Sequence, residues 1–531
     1  MTEDKASPDG ARGVVLMTAA KAFFVIGGLA VQLGLPRLLR SPEEYGLYAA
    51  ATALLAIFTN TLTQACVQTT SKHASEAGES APESLRRSLV LAVTMGGSLS
   101  LALAALADVI AVSVLHDPLV GPLLRALSVL PIAYAIYSTA IGHLNGQQRF
   151  ARQARLDASF TLVRTTGLLV GGALAIGALG AALGFATAAL VMACVGLAFV
   201  GIGRGGSTIS TGVPGSPGRH NSVASASRTT PAEISTRAWL AFFFAIALHQ
   251  LLLNGLLQLD VEILKSRVAS IALGYGASAV DAASRASLEA GLYRAAQSVA
   301  FVPYQLILAV TLVLFPTVAR ARSLGDAEGA RNAVRGALRF ATIALVLLAA
   351  PVAGGGDAAI RVLLDARYAP GGDALAILAL GQIAFTLFVV GSTAISGDGS
   401  PFVVAMSAAI GLVITVGVAI VGIDAAGYQG PVRVAAATGA AAGCVVALAI
   451  VLVLVARRFG AAALPWPSYA RASLAGAAGF ATAHFVPHAG RFDSLGALVL
   501  GALASLAVLA ISGELGADDL ALLRRLLRRR A

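Results

Sequence analysis

Apolar segments long enough to span a bilayer follow one another along almost the whole chain. The hydrocarbon core is about 30 Å thick, and an α-helix of about 20 apolar residues crosses it. Fourteen such windows are bounded by glycine, proline and charged residues, at 12–35, 45–70, 88–115, 122–144, 156–177, 179–203, 238–262, 289–316, 338–356, 371–396, 401–424, 431–456, 468–487 and 494–512. Because lipid leaves backbone polar groups unsatisfied, each window is expected to be helical. The sequence therefore predicts an all-α polytopic membrane protein with about 14 transmembrane helices.

Charged residues are too scarce for a soluble fold. They make up 12% of the 531 residues, whereas 57% are hydrophobic, and a soluble domain carries about 25% charged residues. The net charge is +11, and most of the charged residues lie between the apolar windows. Since they form no basic face with interleaved aromatic residues, we predict no nucleic-acid partner. The polar first ten residues and the lack of a small-residue cleavage site predict no removable signal peptide.

The distribution of positive charge predicts the orientation in the membrane. Cytoplasmic loops are enriched in Lys and Arg. With the amino terminus inside, 25 of the 38 Lys and Arg residues lie in the inner segments and 11 in the outer ones, while Lys21 and Arg164 lie within windows. We therefore expect both termini to be cytoplasmic and the number of spans to be even.

An internal repeat indicates a duplication. Residues 44–51 and 289–296 both read E-x-G-L-Y-x-A-A, and residues 114–127 and 362–375 share V-L-x-D-x4-P-x3-A-L. A looser match pairs Gly146 and Phe150 with Gly397 and Phe402. Because six spans are an even number, these matches predict two parallel six-helix repeats.

The repeat and the breaks in hydropathy predict five regions. Spans 1 to 6 form a first lobe at 1–203, and spans 7 to 12 form a second lobe at 238–456. A disordered cytoplasmic linker rich in Gly, Ser, Thr and Pro joins them at 204–237. Spans 13 and 14 follow at 457–512. The tail at 513–531 places Leu520, Leu523 and Leu527 opposite arginines, which predicts a basic amphipathic helix on the cytoplasmic leaflet.

Polar side chains within the windows are the candidate functional residues, because each costs about 2.5–3.5 kcal/mol on insertion scales when charged. A duplicated bundle is also the architecture of alternating-access transporters. Lys21 lies about ten residues into the first window, and Arg164 lies at a similar depth in the fifth. Both could bind an anionic substrate in a cavity, or could instead extend to the lipid headgroups.

The seventh window carries a polar stripe. Gln250, Asn254 and Gln258 lie at i, i+4 and i+8 on one helical face, accompanied by His249. The stripe predicts a cavity lining, although hydrogen bonding between helices would also account for it. Further cavity candidates are Arg294 with Gln297 at i+3 and Asn60 with Gln64 at i+4. Asp260 and Glu262 are expected at the outer end of the window, exposed to water, and Asp260 is assigned a structural or coupling role.

Motifs for catalysis are absent from the sequence. The histidines are scattered without H-x3-H spacing, and Cys66, Cys194 and Cys444 lie singly within apolar stretches. The chain has neither G-x-S-x-G nor G-x4-G-K-[ST]. We therefore expect no enzyme activity, no metal and no cofactor, and energy input from a coupling ion or the membrane potential.

Short motifs of the chain resemble those of the lipid-linked oligosaccharide flippases in the multidrug/oligosaccharidyl-lipid/polysaccharide exporter superfamily. Their order and spacing carry the resemblance over about residues 12–456, at 42–48 (PEEYGLY), 146–150 (GQQRF), 259–261 (LDV), 290–293 (AGLY), 314–316 (LFP), 363–370 and 396–399 (SGDG). The resemblance implies a V-shaped exporter-type fold in a bacterial-type plasma membrane. It also implies an undecaprenyl-(pyro)phosphate-linked sugar as substrate, met in the cavity by basic residues such as Lys21, Arg164 and Arg294.

The resemblance further implies membrane lipids and polysaccharide-assembly enzymes as partners of a monomer. The alternatives are a drug or cation antiporter of the same superfamily and a membrane scaffold without transport. An antiporter favours a buried carboxylate in the first lobe, whereas Asp108 and Asp157 lie near the ends of predicted spans. A major-facilitator transporter is disfavoured because its G-x3-D-R-type loop is missing from 71–87. A membrane glycosyltransferase is disfavoured by the lack of a carboxylate cluster.

Overall fold

The computed structural model describes residues 8–77, 81–174, 176–201, 236–487 and 490–515. Within these ranges the chain is helical apart from turns and short connections, and it forms no strand. The predicted all-α membrane fold is therefore confirmed. All but the last two residues of the predicted linker and all but the first three of the predicted tail lie outside the described residues.

The first half of the chain forms seven α-helices. They are α1 (Pro8–Leu38), α2 (Pro42–Ala77), α3 (Ala81–Val109), α4 (Val120–Leu127), α5 (Leu130–Gly146), α6 (Phe150–Ala173) and α7 (Gly177–Phe199). A π-helical turn at Ile110–Val114 continues α3. The predicted window 122–144 is shared by α4 and α5, which are separated by a short turn.

The second half forms α8 (Thr236–Gly274), α9 (Ala279–Ala300), α10 (Val302–Ser323), α11 (Ala327–Gly354), α12 (Gly356–Leu363), α13 (Gly372–Gly397), α14 (Pro401–Ala426) and α15 (Val432–Phe459). Two further helices follow, α16 (Trp466–Phe485) and α17 (Arg491–Ile511). The window 289–316 divides into α9 and α10 at Phe301, just before Pro303, which lacks the N–H that a continuous helix needs.

Each predicted window falls on one helix or on a consecutive pair. Among the described residues, 11 helical segments are long and apolar enough to cross a membrane. The long helices α6, α9, α10 and α16 are not among these segments. Two of them carry charged residues in their interior, Asp157 and Arg164 in α6 and Glu289 and Arg294 in α9. The chain is a multi-pass membrane protein, while the exact number of spans stays a prediction.

Glycines allow neighbouring helices to pack backbone to backbone. Gly167 and Gly171 of α6 face Gly184 and Gly180 of α7, where an added methyl group would overlap a carbonyl oxygen of the facing helix. In lipid, where apolar burial does not drive association, such close packing holds helices together. The two halves pair their helices in a similar way. In the first half α1 packs against α6, and in the second half α8 packs against α14.

The two halves join along α2, which packs against both α8 and α9. One large buried cluster draws residues from both halves, including Leu35, Tyr45 and Tyr293. The beginning of α8 also packs against the first half, because Trp239 and Phe243 lie in a cluster with residues of α2 and α3. The division into lobes at 1–203 and 238–456 stays a prediction.

The last two helices are bound to the second half. They pack against each other and against α11. Just beyond α17, Glu514 is 1% exposed and forms ion pairs with Arg339 of α11 at 2.7 Å and Arg471 of α16 at 3.0 Å. These ion pairs tie the end of α17 to two neighbouring helices.

Candidate substrate groove and its outer closure

The halves approach closely where the two copies of the E-x-G-L-Y repeat cross. This happens at the end of the bundle predicted to face outside, called the outer end below, where α1 ends and α2 begins. Gly46 of α2 lies against the backbone of Ser287 in α9, and Gly291 of α9 lies against the backbone of Pro42. A methyl group at either glycine would overlap a carbonyl oxygen of the other half. The crossing therefore depends on glycine at equivalent positions of the repeat.

A second contact at the outer end caps α1. The guanidinium group of Arg367 donates hydrogen bonds to the carbonyl oxygens of Arg40 at 2.6 Å, Pro36 at 2.7 Å and Leu39 at 2.8 Å. The Tyr368 hydroxyl donates to the Pro36 oxygen as well, at 2.9 Å. The last carbonyls of a helix have no partner within it. The turn Ala366–Gly371 of the second half thus satisfies the end of a helix in the first half.

A buried ion pair forms the third contact at the outer end. Lys265 of α8 and Asp117 of the segment between α3 and α4 are 0% and 1% exposed, and their Nζ and Oδ2 atoms are 2.7 Å apart. Lys265 Nζ lies 2.6 Å from Ser287 Oγ of α9, which in turn donates to Asp117 Oδ2 at 2.8 Å. Asp117 belongs to the V-L-x-D-x4-P repeat, and its counterpart Asp365 precedes Arg367. Both copies of this repeat therefore contribute cross-half contacts.

The polar stripe of α8 makes hydrogen bonds between helices. Asn254 is 7% exposed and accepts from Asn60 of α2 at 3.1 Å. Gln258 is 9% exposed and accepts from Arg294 of α9 at 2.8 Å. Arg294 also donates to Gln297 of its own helix. Hydrogen bonding between helices therefore accounts for Asn254 and Gln258, whereas Asn60 remains exposed.

The expectation that Asp260 and Glu262 are exposed to water at the end of a span is wrong. They are 2% and 7% exposed, because α8 continues beyond the predicted end at 262 as far as Gly274. Asp260 accepts from the Tyr293 hydroxyl at 2.6 Å and from Gln297 Nε2 at 3.0 Å. Neither carboxylate oxygen of Glu262 has a hydrogen-bond partner within the described residues.

The remaining two predicted stripe residues are partly buried. Nδ1 of His249 is buried without a hydrogen-bond partner in the described structure. The backbone carbonyl of Gln250 accepts from the Asn254 side chain at 2.8 Å. Neither observation brings these two side chains into the Arg294 network.

An exposed polar ridge runs along α2. Asn60, Gln64 and Gln68 lie at i, i+4 and i+8, and all three are exposed within a segment long and apolar enough to cross a membrane. An exposed amide at this depth is costly against lipid, so such groups line water-filled cavities. We therefore take the ridge as the candidate lining of a groove on the first half, beside the Asn60–Asn254 contact with the second half.

Two predicted cations lie elsewhere in the first half. Lys21 of α1 is half exposed and lies 3.7 Å from Asp157 of α6, which also accepts from the Tyr137 hydroxyl at 2.9 Å. Arg164 of α6 lies near the rings of Phe24 and Phe185, at 5.9 and 5.5 Å from their centroids. Its Nε atom is buried without a hydrogen-bond partner in the described structure.

The predicted residues therefore form separate groups. Arg294, Gln297, Gln258 and Asp260 form one network, and Asn60 pairs with Asn254, whereas Lys21 and Arg164 show no direct contact with either. Sequence reasoning missed Lys265, Asp117 and Arg367. The repeated V-L-x-D motif is the available signal for Asp117, whereas the predicted window ends at 262 and leaves Lys265 outside it. In the described part of the chain, no group of three or more His, Cys, Asp or Glu residues is placed to hold a metal ion.

Known proteins with the same fold transport lipids or drugs. The chain is similar over 94% of its length, and 99% of the other chain, to a structure of the lipid II flippase MurJ in an inward closed conformation, with a TM-score of 0.70 and 14% identity. It is also similar to inward-facing and outward-facing structures of a multidrug resistance MATE family transporter of the MOP superfamily. Their TM-scores are 0.61 and 0.57, their identity is 14%, and the matches cover 84% and 85% of this chain and 98% and 96% of those chains.

A family model described as polysaccharide biosynthesis protein matches residues 35–203. Comparison with curated proteins gives no match. The resemblance indicated by the sequence motifs is confirmed by the family model in the first half and by the shared fold over most of the chain.

Proposed function

We propose that this protein flips an undecaprenyl-(pyro)phosphate-linked oligosaccharide, or a related polysaccharide precursor, from the cytoplasmic to the outer leaflet by alternating access. The observation that carries the proposal is the exposed polar ridge of α2 in a bundle whose halves are joined at the outer end. Amide side chains suit sugar hydroxyl groups, which both donate and accept hydrogen bonds. The matched family model and the MurJ-like fold support the same substrate class.

The three predicted cations suit an anionic headgroup. Lys21 keeps about half of its side chain exposed beside Asp157, so a phosphate could compete with that carboxylate for the ammonium group. Arg294 is held by two amide oxygens and is free of any carboxylate contact within hydrogen-bond range in the described structure. Charge-assisted bonds to phosphate are stronger than bonds to neutral amides. Arg164, with its unpartnered Nε, is a third cation for the substrate.

Partners follow from this function. They are the lipid-linked sugar, membrane lipids and enzymes of polysaccharide assembly, and the chain would act as a monomer in a bacterial-type plasma membrane with both termini in the cytoplasm. Energy would come from a coupling ion or the membrane potential, with no enzyme activity, bound metal or cofactor. Asp260 would have a structural or coupling role, consistent with its buried bonds to Tyr293 and Gln297.

One observation favours the drug or cation antiporter as a second candidate. Asp157 lies in the interior of α6, is 12% exposed and is paired with Lys21. A carboxylate in this position of the first half is what an antiporter would use for proton or sodium coupling.

Flipping in proteoliposomes tests the proposal. The full-length protein should bring an undecaprenyl-pyrophosphate oligosaccharide within reach of an impermeant outside probe. Lys21→Ala with Arg164→Ala should reduce the rate by about tenfold or more, since each lost charge-assisted bond is worth about 1.5–3 kcal/mol. Arg152→Ala is the matched control, because Arg152 is an exposed arginine on the same helix as Arg164.

Three outcomes would contradict the proposal in different ways. Equal rates in the double variant and the control would remove the two cations from the substrate path. Ion-dependent movement of a cationic drug without movement of any lipid-linked sugar would favour the antiporter. Movement of neither substrate by a correctly folded protein would favour a scaffold.

A further inference from the structure

We propose that Glu262 is a proton-binding site whose protonation allows the outer end to close. The inference deepens the proposed transport function and rests on it. It starts from the position of Glu262 in α8, between the Asp260 network and the Lys265 ion pair. Glu262 also lies in the junction between the halves, where α8 packs against α2.

Glu262 is buried without a hydrogen-bond partner. Its side chain is 7% exposed, and neither carboxylate oxygen accepts a hydrogen bond in the described part of the chain. The polar group that faces it from α2 is the amide of Leu54, which lies in the interior of that helix and serves its backbone hydrogen bonding. An ionised carboxylate in such a place is strongly disfavoured, and the group takes up a proton instead.

The charged groups around Glu262 are already paired. On its own helix, Lys265 is bound to Asp117 of the α3–α4 segment and Ser287 of α9. Also on α8, Asp260 is bound to Tyr293 and Gln297 of α9. Arg294 of α9 is bound to Gln258 and Gln297.

At the outer surface of the second half, Arg285 of α9 donates to the carbonyl oxygen of Tyr428, and two further cations are paired with carboxylates. On the α14 side, Arg267 of α8 pairs with Asp424, and on α15 Arg433 pairs with Glu289 and Asp373. Asp117, Asp260, Glu262 and Lys265 are buried, and Arg294 is partly buried. Among the three buried carboxylates, Glu262 is the one whose oxygens accept no hydrogen bond in the described structure, so it is the one best accommodated in the neutral form.

A polar path leads from Glu262 away from the outer end. Gln258 lies four residues before Glu262 and Asn254 lies four residues before Gln258, so all three share one face of α8. Asn254 contacts Asn60 at 3.1 Å, and Asn60 is the first residue of the exposed ridge. Buried amides thus lie between the exposed ridge and Glu262.

Arg294 provides the link to substrate. It bonds to Gln258, which is one helical turn from Glu262, and it interacts electrostatically with the Glu262 carboxyl group. A phosphate bound at Arg294 would neutralise the cation that favours ionised Glu262. A phosphate at Arg294 and a proton on Glu262 therefore favour each other, so substrate binding should promote the protonated form of Glu262.

The proton balance follows from these positions. With the outer end open, Glu262 is hydrated and ionised, and it takes one proton from the outer water. The neutral carboxyl group can then be buried, and the halves close at Gly46 and Gly291. One proton is bound for each closure of the outer end, and it returns to the outer water when the halves separate and Glu262 is hydrated again.

The test measures the conformation of the outer end against pH, without substrate. Spin labels at Ile176→Cys and Val280→Cys place one probe on each half, since both side chains are exposed near the outer end. Cys194 is replaced by Ser because it is the exposed native cysteine. In lipid nanodiscs, the ratio of closed to open protein should rise by up to about tenfold for each unit of falling pH, as for uptake of one proton.

Three variants separate the role of Glu262 from a structural one. Glu262→Gln, which mimics the protonated side chain, should stay closed at all pH values. Glu262→Asp should restore a pH dependence. Glu289→Gln is the matched control, because Glu289 is an outer-end carboxylate paired with Arg433, and it should behave like the unmodified chain.

Infrared difference spectroscopy gives a second readout that does not depend on the labels. The C=O band of a protonated carboxyl group should disappear as the outer end opens and should be missing from Glu262→Gln. An unchanged pH response in Glu262→Gln, or no such band in the closed protein, would overturn the proposal. Lipid-linked sugar flipping without any pH response of the outer end would overturn the proton site and leave the flippase assignment in place. A pH response in a protein that flips no lipid-linked sugar would leave the proton site and remove the flippase assignment.

Discussion

Single side chains determine how closely the two halves approach. Gly46 and Gly291 leave no space for a methyl group, because each lies against a backbone carbonyl of the other half. Tyr45 packs beside them, with its hydroxyl 3.2 Å from Ser298 Oγ and its ring edge-on to Tyr368. Because Gly46 and Gly291 have no side chains, the larger side chains of Tyr45 and Tyr368 can pack around the crossing.

Replacing Gly46 by Ala should keep the outer end from closing. The added methyl group would overlap the Ser287 carbonyl oxygen, so α2 and α9 must separate. We expect a larger open population in the spin-label measurement and a lower flipping rate. Gly336→Ala is the control, since a methyl group there meets no neighbour in α11 and should raise stability by up to about 1 kcal/mol. A Gly46→Ala protein that closes normally would show that the crossing tolerates more movement than the packing indicates.

For individual residues, the sequence predicted which side chains are functional candidates better than it predicted what those side chains contact. The cost of placing charge within a span was enough to single out Lys21, Arg164 and Arg294. Periodicity on one helix could not show that Arg294 binds Gln258, because that contact depends on how α9 crosses α8. Lys265 could not be recognised as buried, since its partner Asp117 is 148 residues away in the chain.

Individual helices carry distinct tasks within the bundle. The long α8 begins among residues of α2 and α3, carries the polar stripe in its middle and ends at the outer ion pairs with Asp117 and Asp424. Hydropathy predicted that this helix crosses the membrane but placed its end at 262, whereas it continues to Gly274. The charged residues beyond 262 read as a loop in the sequence, and they are helical because neighbouring helices supply their partners.

Glu514 should make the docking of α17 sensitive to acid. Burial raises the pKa of its carboxyl group, but hydrogen bonds from Ser468, Arg339 and Arg471 lower it further, so the pKa lies below the ordinary value of 4.5. The stabilisation is therefore fully present above pH 4.5 and is lost as the pH falls through the folded-state pKa. Glu514→Gln should cost about 1–3 kcal/mol at neutral pH.

Thermal unfolding in detergent between neutral and acidic pH checks this. The difference in melting temperature between the unmodified chain and Glu514→Gln should shrink as the pH falls. Asp398→Asn is a suitable comparison, because Asp398 forms ion pairs with Arg322 and Arg458 at longer distances, both 3.6 Å, and with more exposed partners. A difference that is independent of pH would contradict the assigned role of the carboxylate.

The whole molecule is held together at the outer end by contacts between its halves. Arg367 caps α1, the glycines cross, and Lys265 pairs with Asp117. Fold class and the two-part arrangement of motifs could be predicted, because span length and repetition are properties of the sequence itself. The contacts that close the outer end could not be predicted, since they join residues that are far apart in the chain.

Breaking the buried ion pair from one side should favour the open arrangement. Lys265→Met would leave Asp117 buried without its cation, which costs about 3–5 kcal/mol. The double variant Lys265→Met with Asp117→Leu should recover most of that loss, because an apolar pair avoids the cost of burying charge. The spin-label ratio and thermal unfolding measure both effects. A double variant as open as the single one would show that the pair does more than hold the halves together.

The crossing of Gly46 with Gly291 also limits how the two halves can diverge during evolution. Equivalent positions of two sequence copies touch each other there, as equivalent residues do across the axis of a symmetric dimer. A larger residue that arises in one copy must then be accommodated by its own counterpart. Across related sequences, the residues at these two positions should change together and stay small, even where the rest of the two halves has diverged.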